Sequence, residues 1–234
     1  EAAKEYHQLS IEVKEAFCEE FVSPRGRLAV DTQTAYTLVL FMDLVPEKYK
    51  GRMIEALRAN LEKNKYYLKT GFVGTPYLCR VLSENGYNDL AYRLLLNEEF
   101  PSWLYEVKLG ATTIWERWNS LLPNGKFGEL GMNSLNHYTY GSIVEWMYRN
   151  MCGINPLEEY PGFRRIRLAP QPDKQLQYAK AAVYTAAGLY ESGWKYEGNR
   201  LHYTFSIPFH AQADLVLTNA DSNTKIGRAS CRER

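Results

Sequence analysis

A short stretch near the middle of the 234-residue chain brings together a carboxylate, a guanidinium group and two indole rings. It runs Gly110-Ala111-Thr112-Thr113-Ile114-Trp115-Glu116-Arg117-Trp118. Thr113 and Glu116 have the T-x-x-E spacing of a capping box, in which the threonine caps a helix and the glutamate folds back on the cap. The spacing therefore predicts that a helix begins here, and a capping role for Glu116 is the structural interpretation.

The same spacing would also suit acid–base chemistry. A carboxylate in the first turn of a helix lies at the positive end of the helix dipole, which favours the ionised form. An ionised carboxylate beside indole rings suits a general base that faces a sugar, because aromatic faces pack against the apolar faces of pyranose rings. Glu116 is thus either a helix cap or a general base, and its spacing alone leaves both open.

Two further side chains are candidates for ligand contact. His137 lies 21 positions after Glu116, at the predicted start of a helix capped by Ser134 or Asn136. It either packs at that helix start or contacts a ligand through ring nitrogens, which both donate and accept hydrogen bonds. Trp103 follows Pro101-Ser102 in a predicted loop, where it either lines a pocket or packs under the loop.

The composition excludes several classes of protein. Hydrophobic residues make up 45% of the chain, enough for a sizeable core. The net charge is +1 with acids and bases interspersed, so no basic stripe for nucleic acid is predicted. No apolar run approaches the ~20 residues of a membrane span. Cys18, Cys79 and Cys152 lack metal-ligand spacing, which predicts free thiols, no metal site and no cofactor.

Both termini have unusual features. The chain opens with Glu1 in what reads as the middle of a helix, so we interpret the sequence as a piece whose true N-terminus is missing. The cellular location is therefore left open. Residues 226–234 resemble the translation of a sequencing adapter, and we exclude them from predictions of the fold.

The helical part is predicted to alternate between two kinds of helix. A long amphipathic helix over 2–21 comes first. An apolar helix at 35–42 then precedes an amphipathic helix that starts at Pro46. A loop and cap at 71–76 lead to a second apolar helix at 77–82. Another helix begins at Asn88-Asp89. Inner helices walled by outer helices would give this alternation, which indicates an α/α toroid of helical hairpins rather than a simple bundle.

A change to β-type sequence is predicted near Pro161. We place the boundary at about residue 160, with the helical domain over 1–160 and an incomplete β-sandwich over 161–225. The strand candidates are 164–168, 181–184, 188–194 and 201–207, with a turn at 196–199. The sandwich is expected to lack strands and to expose an unpaired edge.

Several long motifs, in order, resemble the bacterial α-L-rhamnosidases of glycoside hydrolase family 78. They are Asp31 to Tyr36, Thr70 to Leu78, Pro101-Ser102-Trp103, Gly110 to Trp118 and Gly131 to Tyr138. The resemblance covers about residues 20 to 217. It implies the later part of an (α/α)6 catalytic barrel followed by a C-terminal β-sandwich.

The resemblance also implies an activity and site residues. It implies an inverting hydrolase that releases terminal α-L-rhamnose with a pair of carboxylic acids, far enough apart to admit a water. Glu116 matches the family's general base and His137 matches a histidine that contacts the sugar. The matching general acid lies upstream of the residues present, so we expect this chain to be inactive by itself.

The implied partners are rhamnose-containing glycosides or polysaccharides, with no nucleic acid and no membrane. Which rhamnoside is cut, and in what oligomeric state, is left open. Two alternatives are kept: another α/α-toroid glycosidase or lyase that acts on a different sugar, and a non-catalytic relative that binds rhamnose.

Overall fold

The computed structural model describes residues 1–129, 131–218, 220 and 224, which form two compact units, Glu1–Ile143 and Val144–Arg234. The adapter-like residues 226–234 lie outside the described part. Within the described residues, no helix combines the length and the apolar character that a membrane crossing requires. The predicted order, a helical part followed by a β part, is confirmed.

Helices and connecting loops make up the first unit. The helices are α1 (Ala2–Phe21), α2 (Gln33–Phe41), α3 (Glu47–Lys63), α4 (Gly71–Glu84), α5 (Asn88–Leu95), α6 (Trp103–Lys108) and a 3-10 turn (Thr139–Ser142). The apolar helix α2 packs against both α3 and α4, and α4 packs against α5 and the 3-10 turn. The two apolar helices of the predicted alternation are therefore neighbours.

The contact between α2 and α4 depends on a small residue. A Cβ atom on Gly74 of α4 would lie 2.9 Å from Cβ of Thr70 and 3.0 Å from Oγ1 of Thr34. Glycine at this position lets the two helix backbones approach closely. The start of α2 is fixed by Thr32, whose side chain accepts a hydrogen bond from the Ala35 amide at 3.1 Å, as the sequence predicts for an N-cap.

The predicted loop at 71–76 is wrong, because α4 already begins at Gly71 and contains Pro76. Pro76 lacks the N–H that would bond one turn back, so this turn of the helix has one backbone hydrogen bond fewer. Side-chain hydrogen bonds support this turn instead: the Thr75 hydroxyl donates to the Gly71 carbonyl at 2.6 Å and lies 2.6 Å from the Thr70 hydroxyl.

The predicted helix start at Thr113 is also wrong, because α6 ends at Lys108 and no helix of the described chain follows before Thr139. Gly110 adopts the left-handed φ of +86° and turns the chain out of α6. The Thr113 hydroxyl then donates to the Leu135 carbonyl rather than capping a helix. Long-range pairing has replaced the local capping box, and Glu116 lies in a loop.

The second unit starts inside the short helix α7 (Ile143–Trp146), because the first residue of α7 belongs to the first unit. A π-helical turn, Met147–Met151, comes next. Among the described residues of this unit, six strands follow: β1 (Ile154–Pro156), β2 (Arg165–Leu168), β3 (Tyr178–Thr185), β4 (Gly188–Glu197), β5 (Arg200–Ser206) and β6 (Gln212–Leu215). They form two three-stranded sheets, β1-β2-β6 with β2 and β6 parallel, and the antiparallel β3-β4-β5. One core joins the sheets, with Tyr190 of β4 buried against Ile154, Ile166 and Leu168.

The four strand predictions are confirmed in outline. Strands β3 and β4 are longer than predicted, and Glu197 pairs with Arg200 around a two-residue turn at Gly198-Asn199. The short strands β1 and β6 were not predicted. The predicted β part began at residue 161, after β1, and both strands are too short for a clear alternation.

Candidate functional site

Two loop segments that are distant in sequence pair with each other in the first unit. The Glu116 amide donates to the Ser134 carbonyl at 2.9 Å, and the His137 amide donates to the Ile114 carbonyl at 2.8 Å. Backbone hydrogen bonds of this kind fix the two segments side by side. The pairing brings the stretch that carries Glu116 next to the stretch that carries His137, as a shared site requires.

The Glu116 side chain is held in a single orientation. It is 8% exposed, and its Oε2 accepts a hydrogen bond from the Ser134 amide at 2.7 Å. A hydrogen bond between a backbone N–H and a carboxylate is short and strong, and fixes the oxygen in space. The Ser134 backbone, rather than the start of a helix, thus positions the Glu116 carboxylate.

His137 is oriented from two sides. Its ring stacks on Phe72, with centroids 5.1 Å apart and planes 15° apart, and it also stacks on Tyr138 at 5.1 Å. Its Nδ1 accepts a hydrogen bond from the Thr139 amide at 3.3 Å. In a neutral imidazole this leaves Nε2 as the N–H donor to a ligand. His137 precedes the 3-10 turn, so its predicted place inside a helix is wrong.

An open concavity of about 550 Å³ adjoins the paired segments. Its lining residues come from both of them and from the 3-10 turn: Thr113, Ile114, Asn136, His137, Tyr138 and Gly141. Glu116 is not one of the lining residues, and lies two positions beyond Ile114 on the same segment. The concavity exposes hydroxyl, amide and imidazole groups, which are hydrogen-bonding partners for a polar ligand.

Stacked aromatic rings support the site. Trp118 stacks on Tyr140 with centroids 3.8 Å apart, and Tyr140 contacts Phe72 at 5.3 Å. Trp103 meets Trp118 edge-on at 5.3 Å. The rings therefore connect the segment that carries Glu116 to the ring on which His137 stacks. Burial raises the pKa of the Tyr140 hydroxyl, and the nearby Glu106 carboxyl adds to that effect.

Trp103 belongs to this aromatic cluster. It is the first residue of α6, so its predicted place in a loop is wrong; Ser102 caps the helix by accepting from the Tyr105 amide at 3.2 Å. The Trp103 side chain is 5% exposed, and its indole N–H donates to the Tyr140 carbonyl at 2.8 Å. Of the two roles that the sequence left open, this geometry favours packing beneath the site.

The guanidinium group of Arg117 is used in structural contacts. It pairs with Glu129 and donates through Nε to the Met132 carbonyl at 2.9 Å. Arg117 thereby anchors the segment that leads to Ser134. No group of histidine, cysteine, aspartate and glutamate side chains within the described residues is arranged to hold a metal ion.

Comparison with known proteins assigns both units of the chain to one family. The model of the bacterial alpha-L-rhamnosidase 6 hairpin glycosidase domain matches residues 1–151, and the model of the bacterial alpha-L-rhamnosidase C-terminal domain matches residues 153–230. The chain belongs to the bacterial alpha-L-rhamnosidase family. The predicted fold class, part of a six-hairpin glycosidase domain followed by a C-terminal β part, is thereby confirmed, while a boundary at residue 160 stays a prediction.

Individual relatives support the assignment to the rhamnosidase family. An alpha-L-rhamnosidase of Streptomyces avermitilis is 39% identical over 215 residues, which are 92% of this chain and 21% of the relative. One of Formosa agariphila is 42% identical over 193 residues, or 82% of this chain and 21% of the relative. The chain thus spans about a fifth of the length of these relatives.

Solved rhamnosidase structures resemble the chain closely. The crystal structure of the Streptomyces avermitilis alpha-L-rhamnosidase complexed with L-rhamnose superposes with a TM-score of 0.86 at 39% identity, over 91% of this chain and 20% of that one. The native Aspergillus terreus enzyme gives a TM-score of 0.88 at 34% identity, over 93% and 25% of the two chains.

The sequence did not single out the groups that position the candidate residues of this chain. Ser134 was considered as a helix cap, and Phe72 only as a member of a motif. The buried Glu106 was missed. It lies three positions after Trp103, which puts both side chains on one face of a short helix, and that spacing is the signal that could have predicted its burial.

Proposed function

We propose that the protein carrying this chain hydrolyses terminal, non-reducing α-L-rhamnosides with inversion, and that Glu116 is the general base. The observation that carries the proposal is the Glu116 carboxylate, buried and held by the Ser134 amide on a segment paired with the one that bears His137. Membership of the rhamnosidase family, and the resemblance to a relative complexed with L-rhamnose, support the choice of sugar.

The proposed chemistry needs two carboxyl groups on opposite faces of the sugar. Glu116 accepts a proton from a water molecule as that water attacks the anomeric carbon, and an acid on the other face protonates the leaving oxygen. The bond to the leaving group breaks as the bond to the water oxygen forms, which inverts the anomeric centre. From the resemblance we infer that the acid lies outside this chain, so we expect the 234 residues alone to be inactive.

His137 is proposed to bind a hydroxyl group of the sugar. Its Nδ1 already accepts the Thr139 amide, so Nε2 is the nitrogen that can donate to a ligand in the adjoining concavity. For Trp103 we propose support of the aromatic cluster rather than sugar stacking, because its indole is buried and its N–H is used by Tyr140.

Glu116→Gln tests the proposal in a protein that carries this chain at the length of its relatives. The amide keeps the shape of the side chain but cannot take a proton, so turnover of an aryl rhamnoside should fall by about 10²–10⁴-fold with an unchanged fold. Glu98→Gln, at an exposed residue paired with Lys108, is the matched control and should stay within about twofold.

Three other results would redirect the proposal. Near-wild-type turnover by the Glu116→Gln variant would remove Glu116 from the mechanism. Hydrolysis of other glycosides without rhamnosides would indicate a toroid glycosidase with a different sugar. Rhamnose binding measured by calorimetry, with no turnover by the wild type, would indicate a non-catalytic sugar-binding relative.

A further inference from the structure

Glu106 is a buried carboxyl group beside the segment that carries Glu116. It lies on α6, and it is 2% exposed. Its Oε2 accepts a hydrogen bond from the Trp115 amide at 3.4 Å, and its Oε1 is buried without a hydrogen-bond partner among the described residues. Burying an ionised carboxylate is very unfavourable when one of its oxygens accepts no hydrogen bond, whereas a neutral acid tolerates this environment.

The main chain of Glu106 holds the same loop. Its carbonyl accepts the Leu109 amide at 3.1 Å and the Ala111 amide at 3.0 Å. Two hydrogen bonds therefore connect the end of α6 to the loop after it. The Glu106 carbonyl accepts one from Ala111, and the Glu106 side chain accepts the other from Trp115. Because Trp115 directly precedes Glu116, the side-chain bond acts on the residue next to the proposed base.

Within the described part of the chain, no neighbouring cation contributes to the shift of the Glu106 pKa. The titratable group that faces it from the 3-10 turn is Tyr140. Arg117, on the paired segment, interacts with Tyr140 and forms its ion pair with Glu129. Burial raises the pKa of the Glu106 carboxyl to about 8, and only the bond from Trp115 acts in the opposite direction.

We propose that Glu106 is a positioning residue which, as a neutral acid, holds the Trp115 backbone and through it fixes the orientation of Glu116. The inference rests on the proposed function only where it assigns Glu116 the role of base. Ionisation of Glu106 would introduce a negative charge among buried aromatic rings, and the loop would have to move to let water reach it. The orientation of Glu116 then depends on the protonation of Glu106.

The first test follows the Trp115 amide of this chain by nitrogen-15 NMR between pH 6 and pH 9.5. The wild type should show a titration of that amide with a midpoint at about 8, as Glu106 ionises. Glu106→Gln keeps an uncharged group of the same shape, and the titration should vanish. The matched control Glu98→Gln should keep it. A Trp115 titration that persists unchanged in Glu106→Gln would overturn the proposal.

The second test measures kcat and KM of the protein that carries this chain, at the length of its relatives. At pH 6, Glu106→Gln should stay within about threefold of the wild type. At pH 9 it should exceed the wild type in kcat, because the amide cannot ionise. Glu106→Ala should lose kcat about tenfold or more at both pH values, with a small change in KM. An alkaline loss that is identical in the wild type and Glu106→Gln would contradict the proposal.

The two proposals fail in different ways. If Glu116→Gln retains full turnover, the assignment of the base is wrong, yet the Trp115 titration still reports whether Glu106 holds the loop. If the titration is absent from the wild type while Glu116→Gln is inactive, the base stands and the positioning role of Glu106 is wrong. Glu106→Met, which fills the same volume without polar atoms, serves as the second variant and should remove the titration as Glu106→Gln does.

Discussion

Glu116 and Ser134 exchange two hydrogen bonds. The Ser134 amide donates to Oε2 of Glu116 at 2.7 Å, and the Glu116 amide donates to the Ser134 carbonyl at 2.9 Å. Side chain and backbone of the proposed base are thus held by one residue from a segment 18 positions away. The Ser134 hydroxyl is not used in this exchange, because it donates to the Asn136 carbonyl at 3.1 Å.

This exchange predicts that the Ser134 backbone, and not its side chain, matters for turnover. Ser134→Pro removes the amide donor, and we expect kcat to fall by about 10–100-fold, since a hydrogen bond to a charged group contributes about 1.5–3 kcal/mol. Ser134→Ala keeps the amide and is the matched control, expected within about threefold. Steady-state kinetics with circular dichroism as a fold check would test this, and equal losses in both variants would contradict it.

The stack of Phe72 on His137 predicts a binding effect. Phe72→Leu keeps an apolar side chain but removes the flat ring, so His137 loses the contact that sets its ring plane. An aromatic pair contributes about 0.5–1.5 kcal/mol, and we expect KM for a rhamnoside to rise by about 2–10-fold with a smaller change in kcat. Val73→Ala, at the exposed neighbour on α4, is the control and should leave KM unchanged.

The sequence predicted the helices whose signals are local. The amphipathic pattern of α1 and the Thr32 cap of α2 both appear where expected, because each depends on neighbours within one or two turns. The capping-box spacing of Thr113 and Glu116 misled for the opposite reason. The conformation of that segment is determined by its hydrogen bonds to residues 134–137, and a local sequence pattern carries no information about such distant partners.

The same distinction applies to the candidate site. Residue types and the family resemblance pointed to Glu116 and His137, whereas the groups that hold them are backbone amides and aromatic faces from other segments. The Ser134 amide has no sequence signature, since every residue but proline has one. The sequence allowed two roles for Trp103. The structure shows that its indole N–H donates to the Tyr140 carbonyl, a partner that the sequence did not indicate.

The variant Trp103→Phe tests whether the indole of Trp103 supports the aromatic cluster or stacks against the sugar. The change leaves the buried Tyr140 carbonyl without its indole donor, which costs about 1–3 kcal/mol. We expect the free energy of unfolding in urea to fall by that amount, with KM in the active protein little changed. Val107→Ile, at an exposed residue of the same helix, should change the stability by less than about 0.5 kcal/mol. Unchanged stability together with a raised KM would instead place the indole against the sugar.

The Glu106 carboxyl predicts a pH dependence of stability. Burial raises its pKa from 4.5 to about 8, so between these values the folded chain holds a proton that the unfolded chain releases. Unfolding is then favoured as the pH rises, and the contribution of this group to the free energy of unfolding falls by at most about 1.4 kcal/mol per pH unit. Above pH 8 its contribution becomes constant.

Glu106→Gln should remove this slope. Its stability relative to the wild type, measured in urea at pH 5 and pH 7.5, should therefore increase with pH, whereas Glu98→Gln should follow the wild type. Parallel curves for the wild type and Glu106→Gln across this window would show that Glu106 ionises in the folded chain at an ordinary pH, and would contradict the assignment of a neutral acid.

Gly110 and Gly51 form a pair that tests how the chain leaves α6 towards Glu116. Both have open space where a Cβ would lie, but Gly110 has the left-handed φ of +86° and Gly51 lies inside α3. Gly51→Ala should stabilise the chain by about 0.5–1 kcal/mol, because alanine favours helix. Gly110→Ala should destabilise it by about 1 kcal/mol or more, because alanine is strained at this φ. Urea unfolding of both variants provides the comparison, and a stabilising Gly110→Ala would show that the turn before the proposed base does not require a left-handed residue.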